Sequence, residues 1–162
     1  EYILKLGNVS LSDQEKSELL TQKNDDYLCL ISNMTREDIL PGVENFLNQL
    51  QKAGIKLAIG SSSKNAKPIL KQVNLLNKFE AISDGTNITK GKPNPEVFLT
   101  AAKMLQLPAE QCLVFEDAIA GVEAALNGSF PVISIGNEPG LSKATINIKN
   151  TTELDIKLLS EI

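Results

Sequence analysis

From about residue 41 onward, short apolar runs alternate with amphipathic segments, and this alternation constrains the fold more than any other feature of the sequence. The runs have the length of buried strands, and the segments between them carry residues that start and stop helices. Strands that alternate with helices predict a Rossmann-like α/β fold with a mainly parallel sheet. Ligand sites in such sheets lie beyond the carboxyl ends of the strands, so residues that follow predicted strands are the first candidates for function.

Proline and glycine mark the limits of several predicted elements. Pro41 begins a helix that Gly54 ends, Pro95 begins another, and Gly128 ends a third. The predicted strands cover residues 55–60, 79–83, 112–115, 130–135 and 144–148. The predicted helices of this region cover residues 41–53, 64–73, 95–105 and 118–126, and a last helix is capped by Thr151 or Thr152.

The first 33 residues contain helical patterns alone, which predicts two parts of the chain. Residues 1–33 are expected to form a helical layer, the remainder of a cap, and residues 34–162 an α/β core. Residues 1–5 also have a helical pattern. Because the chain opens at Glu1 without methionine, we expect a further segment to precede it.

A capping box and an apolar stripe define the main helix of the first part. Ser12 and Glu15 have the spacing of the capping box, and an amphipathic pattern follows to about residue 32. Lys23 interrupts the apolar stripe, which runs through Leu20, Tyr27 and Ile31. Two interpretations stay open for Lys23, a contact with a ligand or a stem that covers apolar surface.

Composition excludes several classes of chemistry. The sequence has no histidine, so histidine bases, histidine metal ligands and Ser-His-Asp triads are excluded. The net charge of −4, without a basic stripe, disfavours nucleic-acid binding. We expect Cys29 and Cys112 to be buried free thiols in a reducing compartment. No apolar run has membrane-spanning length and no signal peptide is evident, so we expect a cytoplasmic protein.

Ser61 to Asn65 follow the predicted strand 55–60 with three serines and a lysine. Serine hydroxyls and the first amides of a helix bind anions, and Lys64 adds a positive charge. The alternative is ordinary capping of the following helix by Ser62 or Ser63.

Lys92 precedes a rigid segment in which Pro93 and Pro95 frame Asn94. Two prolines restrict the backbone and the second starts a helix, so this segment can direct the lysine charge towards a site. The alternative is a solvated surface lysine.

Glu116 and Asp117 end the predicted strand 112–115, and Gly121 follows one turn later. Carboxylate oxygens are the ligands that Mg²⁺ prefers, and a cation would relieve the repulsion between two adjacent acids. The alternative is that Asp117 only complements the dipole of the following helix.

These three motifs, in this order on an α/β pattern, resemble the haloacid dehalogenase superfamily over essentially the whole chain. Lys23-Asn24-Asp25-Asp26-Tyr27, Ser61-Ser62-Ser63-Lys64-Asn65 and Gly91-Lys92-Pro93 further resemble the β-phosphoglucomutases within it. Those enzymes interconvert β-glucose 1-phosphate and glucose 6-phosphate through an aspartyl phosphate and β-glucose 1,6-bisphosphate. The resemblance therefore implies phosphoryl transfer with Mg²⁺ by a monomer that acts on small sugar phosphates.

The resemblance also implies a role for each matched residue. Catalytic roles fall on Ser61 and Lys92, which would hold the transferred phosphoryl group together with the Ser62 amide. The other phosphate would be held by Ser63, Lys64 and Asn65. Mg²⁺ would be bound by Glu116 and Asp117. Lys23 would contact the sugar from the cap.

The sequence departs from the family at its beginning. The family's two catalytic aspartates lie on a first strand that has no counterpart in these residues. The phosphate-binding arginine of the family's cap has no counterpart here either. We expect that strand to lie between the strand ending at Gly60 and the strand ending at Phe115, and residues 1–162 alone to be inactive. Two alternatives stay open, a sugar-phosphate phosphatase of the same superfamily and a phosphate-binding pseudoenzyme.

Overall fold

The structure is a computed structural model that describes Gly7 and residues 9–162. The predicted helix over residues 1–5 lies outside these residues. The chain divides into two compact units, of which the first ends at Met34 and the second is Thr35–Ile162. The interpretation of these parts as a cap and a core stays a prediction. No helix among the residues described is long and apolar enough to cross a membrane.

The first unit is built on helix α1 (Asp13–Ser32), which begins with the predicted capping box. The Glu15 amide donates to Ser12 Oγ at 3.3 Å, and the Ser12 amide donates to Glu15 Oε2 at 2.8 Å. The expectation for the apolar stripe is only partly met, because Ile31 is buried whereas Leu20 is 66% exposed. Cys29 is exposed, so the prediction of a buried thiol there is wrong.

The second unit alternates strands and helices as predicted. In chain order its elements are α2 (Val43–Lys52), β1 (Ala58–Gly60), α3 (Ala66–Gln72), β2 (Ala81–Ser83), α4 (Glu96–Leu105), β3 (Val114–Glu116), α5 (Ile119–Asn127), β4 (Val132–Ile135) and β5 (Ile146–Ile148). The predicted last helix is instead two 3₁₀ segments, Thr151–Glu153 and Ile156–Glu161.

Most elements begin or end one to three residues away from the predicted bounds, and two of these differences have a clear local cause. Helix α2 begins after Gly42 rather than at Pro41, because Gly42 has φ 87°, outside the helical region. Glycine is required there, since this φ is unfavourable for other residues and a Cβ would overlap the Thr151 carbonyl oxygen. Asn150, not Thr151 or Thr152, caps the C-terminal 3₁₀ segment, since its side chain accepts from the Thr152 amide at 2.9 Å. Several neighbouring polar residues can cap a helix, and the local backbone geometry decides which of them does so.

Every strand pairing found is parallel, which confirms the predicted class of sheet. Strand β1 pairs with β2, and β4 lies between β3 and β5. Among the strands described, no hydrogen-bonded ladder joins β1 to β3. The three residues of β1 are only half-buried, whereas the first three of β4 are buried. Each of β1 and β3 therefore has one edge that pairs with no strand among the residues described.

Helices α4 and α5 supply the core that fixes β3. Val97, Val122 and Val132 are fully buried, and Phe98 meets Phe130 edge to face with 6.1 Å between ring centroids. Burial of one such valine stabilises the fold by about 1.5–3 kcal/mol. The core thus holds the end of β3 and the start of α4 in a fixed relation, and both carry predicted site residues.

We expect residues 1–162, expressed alone, to lack a cooperative thermal transition. Backbone groups left unpaired and shielded from water cost about 1–3 kcal/mol each, against a total stability of about 5–15 kcal/mol for a domain. Circular dichroism during heating measures the transition. A sharp, monomeric transition would show that the open edges of β1 and β3 are tolerated.

Candidate functional site

The carboxyl ends of β1 and β3 carry the predicted site residues of the second unit. Ser61 directly follows β1, and Glu116 is the last residue of β3, one position further into the strand than predicted. Lys92 lies ahead of α4, which packs on β1 and β2. Of these groups, the structure brings Lys92 to Glu116 at the end of β3, and Ser61 lies at the corresponding carboxyl end of β1, where ligand sites of parallel sheets are expected.

Serine hydroxyls fold the segment Ser61–Asn65, called here the serine loop. Ser61 Oγ accepts from the Ser63 amide at 3.1 Å, and Ser63 Oγ accepts from the Asn65 amide at 3.1 Å. The N-cap of α3 is Asn65, and its side chain makes no capping bond. The bond from the Asn65 amide to Ser63 Oγ has the form of a helix cap just ahead of α3, so capping by Ser63 stays an open alternative, whereas Ser62 makes no such bond in the part of the chain described. Ser62 and Lys64 are exposed, so the surface of the loop is accessible to a ligand.

Lys92 and Glu116 form a largely buried ion pair. Lys92 Nζ lies 2.6 Å from Glu116 Oε2, and the two side chains are 16% and 9% exposed. The ammonium also lies 4.7 Å from the centroid of the Phe98 ring. The alternative of a solvated surface lysine is therefore wrong. An ammonium has three donors, so Lys92 can hold Glu116 and still donate to a bound anion.

Two residues that sequence reasoning missed hold Lys92 in place. Phe98 lies against Gly60, where an added Cβ would be 2.7 Å from the ring, so the lysine and β1 share one aromatic neighbour. Asn127 Nδ2 donates to the Pro93 carbonyl at 3.1 Å and ties the segment after Lys92 to the end of α5. Nothing in the sequence marks Asn127, because its partner lies 34 positions away.

The Glu116 carboxylate depends on the absence of a side chain at Gly121. A Cβ at Gly121 would overlap the carboxyl group of Glu116. The second oxygen, Glu116 Oε1, accepts from the Ala118 amide at 3.2 Å. The glycine one turn into α5 thus makes room for the acid that ends β3, which explains the Glu-Asp-x-x-x-Gly spacing.

The acid pair fits Mg²⁺ as part of a coordination sphere. Asp117 is exposed and has no hydrogen bond or ion pair within the part of the chain described, so its oxygens are available. Carboxylates are suitable ligands for Mg²⁺, which takes six oxygens and keeps several waters. No group of three Asp, Glu, Cys or His side chains converges among the residues described, so this pair accounts for only some of the ligands.

Lys23 belongs to the first unit and is described only within it. It lies on α1 in a shallow groove that Leu19, Gln22, Asp26, Tyr27 and Leu30 also line. A contact of Lys23 with a sugar stays a prediction.

Gly121→Ala is expected to lower the affinity of the full-length protein for Mg²⁺. The added methyl group displaces the Glu116 carboxylate, so more Mg²⁺ is needed for half-maximal activity, as also in Glu116→Gln and Asp117→Asn. Gly91→Ala is the matched control, because nothing lies within 4 Å of a Cβ there. Metal titrations of activity measure the effect, and identical curves for all four variants and the wild type would exclude the acid pair as a Mg²⁺ site.

Two curated proteins are similar to the chain over most of its length. It is 40% identical to the β-phosphoglucomutase of Bacillus subtilis (strain 168) over 93% of this chain and 66% of that protein. It is 32% identical to the putative phosphatase YhcW of the same strain over 85% of this chain and 61% of that protein. The chain thus spans less than two thirds of the length of these curated relatives.

Structure comparison and a family profile agree with these relatives. The crystal structure of β-phosphoglucomutase from Clostridium difficile matches with a TM-score of 0.92 at 35% identity, over 98% of this chain and 72% of that one. The profile of the haloacid dehalogenase-like hydrolases matches residues 2–128, a range that contains Ser61, Lys92, Glu116 and Asp117. The chain therefore belongs to the haloacid dehalogenase-like hydrolase family.

Proposed function

We propose that the full-length protein is a β-phosphoglucomutase that interconverts β-glucose 1-phosphate and glucose 6-phosphate. The observation that carries this proposal is the buried Lys92–Glu116 pair, which places an ammonium beside the carboxylate that ends a parallel strand. The similarity to β-phosphoglucomutases over nearly the whole chain supports the choice of reaction. The protein would act as a cytoplasmic monomer on small sugar phosphates.

Phosphoryl transfer depends mainly on positioning and charge neutralisation, and the site residues suit both tasks. Ser61, the Ser62 amide and Lys92 would hold the phosphoryl group in transfer. The outer part of the serine loop, Ser63 to Asn65, would hold the phosphate that does not react. Glu116 and Asp117 would hold Mg²⁺, which neutralises charge on the phosphoryl oxygens when bound.

The ion pair gives Lys92 a defined position before a substrate binds. Glu116 accepts one N–H of the ammonium, and the Phe98 ring stabilises the cation from another side. The remaining donors are then free to face the negative charge that develops on the phosphoryl oxygens. A preorganised donor of this kind needs no reorganisation during the reaction.

The acceptor of the phosphoryl group would lie outside these residues. We propose that another part of the full-length protein supplies a nucleophilic aspartate and a second aspartate that moves the proton. A strand that carries them would pair with the open edges of β1 and β3. Such a strand would bring both carboxylates to the edge of the sheet where Lys92 and Glu116 lie.

A sugar-phosphate phosphatase is the second candidate, and the similarity to a putative phosphatase supports it. The two reactions share the site described and differ in the group that attacks the aspartyl phosphate. Water attacks in a phosphatase, whereas a hydroxyl of the sugar attacks in a mutase. A pseudoenzyme that keeps the phosphate pocket without the nucleophile is the remaining alternative.

We expect the full-length protein to convert β-glucose 1-phosphate to glucose 6-phosphate in Mg²⁺ when primed with a bisphosphate. A coupled assay for glucose 6-phosphate, run beside an assay for inorganic phosphate, measures both reactions. Release of inorganic phosphate alone would favour the phosphatase. Absence of both reactions, with sugar phosphates still bound, would favour the pseudoenzyme.

Lys92→Ala is expected to lower turnover on the order of 10²-fold, the usual effect of removing one donor to developing charge. The variant also leaves the Glu116 charge buried without its partner, which costs about 3–5 kcal/mol of stability. The double variant Lys92→Ala, Glu116→Gln removes that charge, so a thermal melt of the double variant beside Lys92→Ala isolates the stability effect. Turnover of the double variant beside Glu116→Gln, both at saturating Mg²⁺, isolates the effect of the lysine on the reaction. Turnover of Lys92→Ala equal to that of the wild type would exclude the catalytic role.

A further inference from the structure

The turn after β2, Asp84 to Asn87, lies directly against the serine loop. The Ser61 amide donates to the Ser83 carbonyl at 2.9 Å, and the Gly85 amide donates to the Ser63 carbonyl at 3.2 Å. These two backbone bonds fix the beginning and the middle of the loop to the end of β2. The shape of the turn therefore sets the position of the loop.

Gly85 has no room for a side chain. A Cβ at this position would lie 2.7 Å from the Ser62 carbonyl oxygen and 3.0 Å from both the Lys64 amide nitrogen and Lys64 Cγ. Two of these neighbours are backbone atoms, which cannot move aside as the end of a flexible side chain does. The close approach of loop and turn thus requires glycine.

Asp84 holds the turn from a fully buried position, with an exposed fraction of 0%. Its Oδ1 accepts from the Thr86 amide at 2.9 Å and from Thr86 Oγ1 at 2.5 Å. Its own amide donates to Asn87 Oδ1 at 2.9 Å, and Asn87 Nδ2 donates to the Ile82 carbonyl at 3.1 Å. Side chain and backbone are therefore locked on both sides of Gly85.

The Asp84 carboxylate is charged as well as buried. Burial raises its pKa, but the hydrogen bonds from Thr86 and the charge of Lys67 outweigh that effect and leave the pKa below its ordinary value. Within the described part of the chain, Asp84 Oδ2 has no hydrogen-bond partner. A buried acceptor without a partner is costly, and core packing alone does not account for an acid here.

We propose that Asp84 and Gly85 are positioning residues that set the geometry of the serine loop and, through it, the affinity for the phosphate that does not react. This inference rests on the proposed function of the loop. Asp84 fixes the turn through Thr86, and Gly85 lets the loop lie against it. Neither residue needs to touch the substrate.

The test compares Gly85→Ala and Thr86→Val with Gly91→Ala in the full-length protein. Gly91→Ala adds the same methyl group to the same connection between β2 and α4, in open space. Thr86 is exposed, so Thr86→Val removes a hydrogen bond to Asp84 with little loss of packing. Calorimetry gives the Kd for glucose 6-phosphate and for inorganic phosphate, and steady-state kinetics give KM, kcat and the Mg²⁺ dependence.

In Gly85→Ala we expect the Kd and KM for sugar phosphates to rise on the order of ten- to a hundredfold, because small displacements of binding groups have effects of this size. Thr86→Val should raise both values less, and Gly91→Ala should match the wild type. The Mg²⁺ concentration for half-maximal activity should stay constant, since the turn does not contact Glu116 or Asp117. A purely structural defect would shift metal dependence and substrate affinity together.

Equal Kd values for Gly85→Ala and Gly91→Ala would overturn the inference, as would a parallel shift in Mg²⁺ dependence. If Gly85→Ala fails to fold, the Kd of Thr86→Val for sugar phosphates is the test. A wild-type Kd in that variant would overturn the role of Asp84. A wild type that binds inorganic phosphate but no sugar phosphate would refute the proposed function. In that case, a higher Kd for inorganic phosphate in Gly85→Ala than in Gly91→Ala would still support the inference.

Discussion

The ion pair between Lys92 and Glu116 connects the two groups of strands in the second unit. Lys92 precedes α4, which packs on β1 and β2, and Glu116 ends β3 in the other group. Buried pairs of this kind add little stability compared with apolar residues of the same volume, but loss of one partner is costly. The pair is therefore better understood as a device that fixes an ammonium and a carboxylate at one edge of the sheet.

Three glycines are as important to this site as the charged side chains. Gly60 admits the ring of Phe98, Gly85 admits the serine loop and Gly121 admits the Glu116 carboxylate. Each glycine permits an approach that a Cβ would prevent, because folded interiors are too densely packed to absorb an added methyl group. Gly121 and Gly60 thus make room for the Glu116 carboxylate and for the ring beside Lys92, and Gly85 makes room for the serine loop.

The site proposed for phosphoryl transfer would suit a mutase and a phosphatase equally. Both reactions need a fixed ammonium, a divalent cation and a loop that binds phosphate. They differ in what reaches the phosphorylated aspartate, and this depends on groups beyond the Lys92–Glu116 pair. The serine loop bears on the difference, since a second phosphate held there would orient a sugar rather than admit water.

The sequence by itself determined the class of fold, the parallel sheet, the capping box at Ser12 and the placement of candidate residues at strand ends. These depend on periodicity and on local signals, which short stretches of chain contain in full. Local signals did not identify the helix starts at Gly42 and Asn150, because neighbouring residues are equally plausible at those positions.

Only the tertiary structure decided which side chains meet. It paired Lys92 with Glu116, 24 positions away, and brought Asn127 to Pro93 and the serine loop to Gly85. It also buried Asp84, which in the sequence is one more polar residue after a strand. Contacts of this kind depend on how parallel strands align at one edge, and that alignment follows from packing across the whole core rather than from any local pattern.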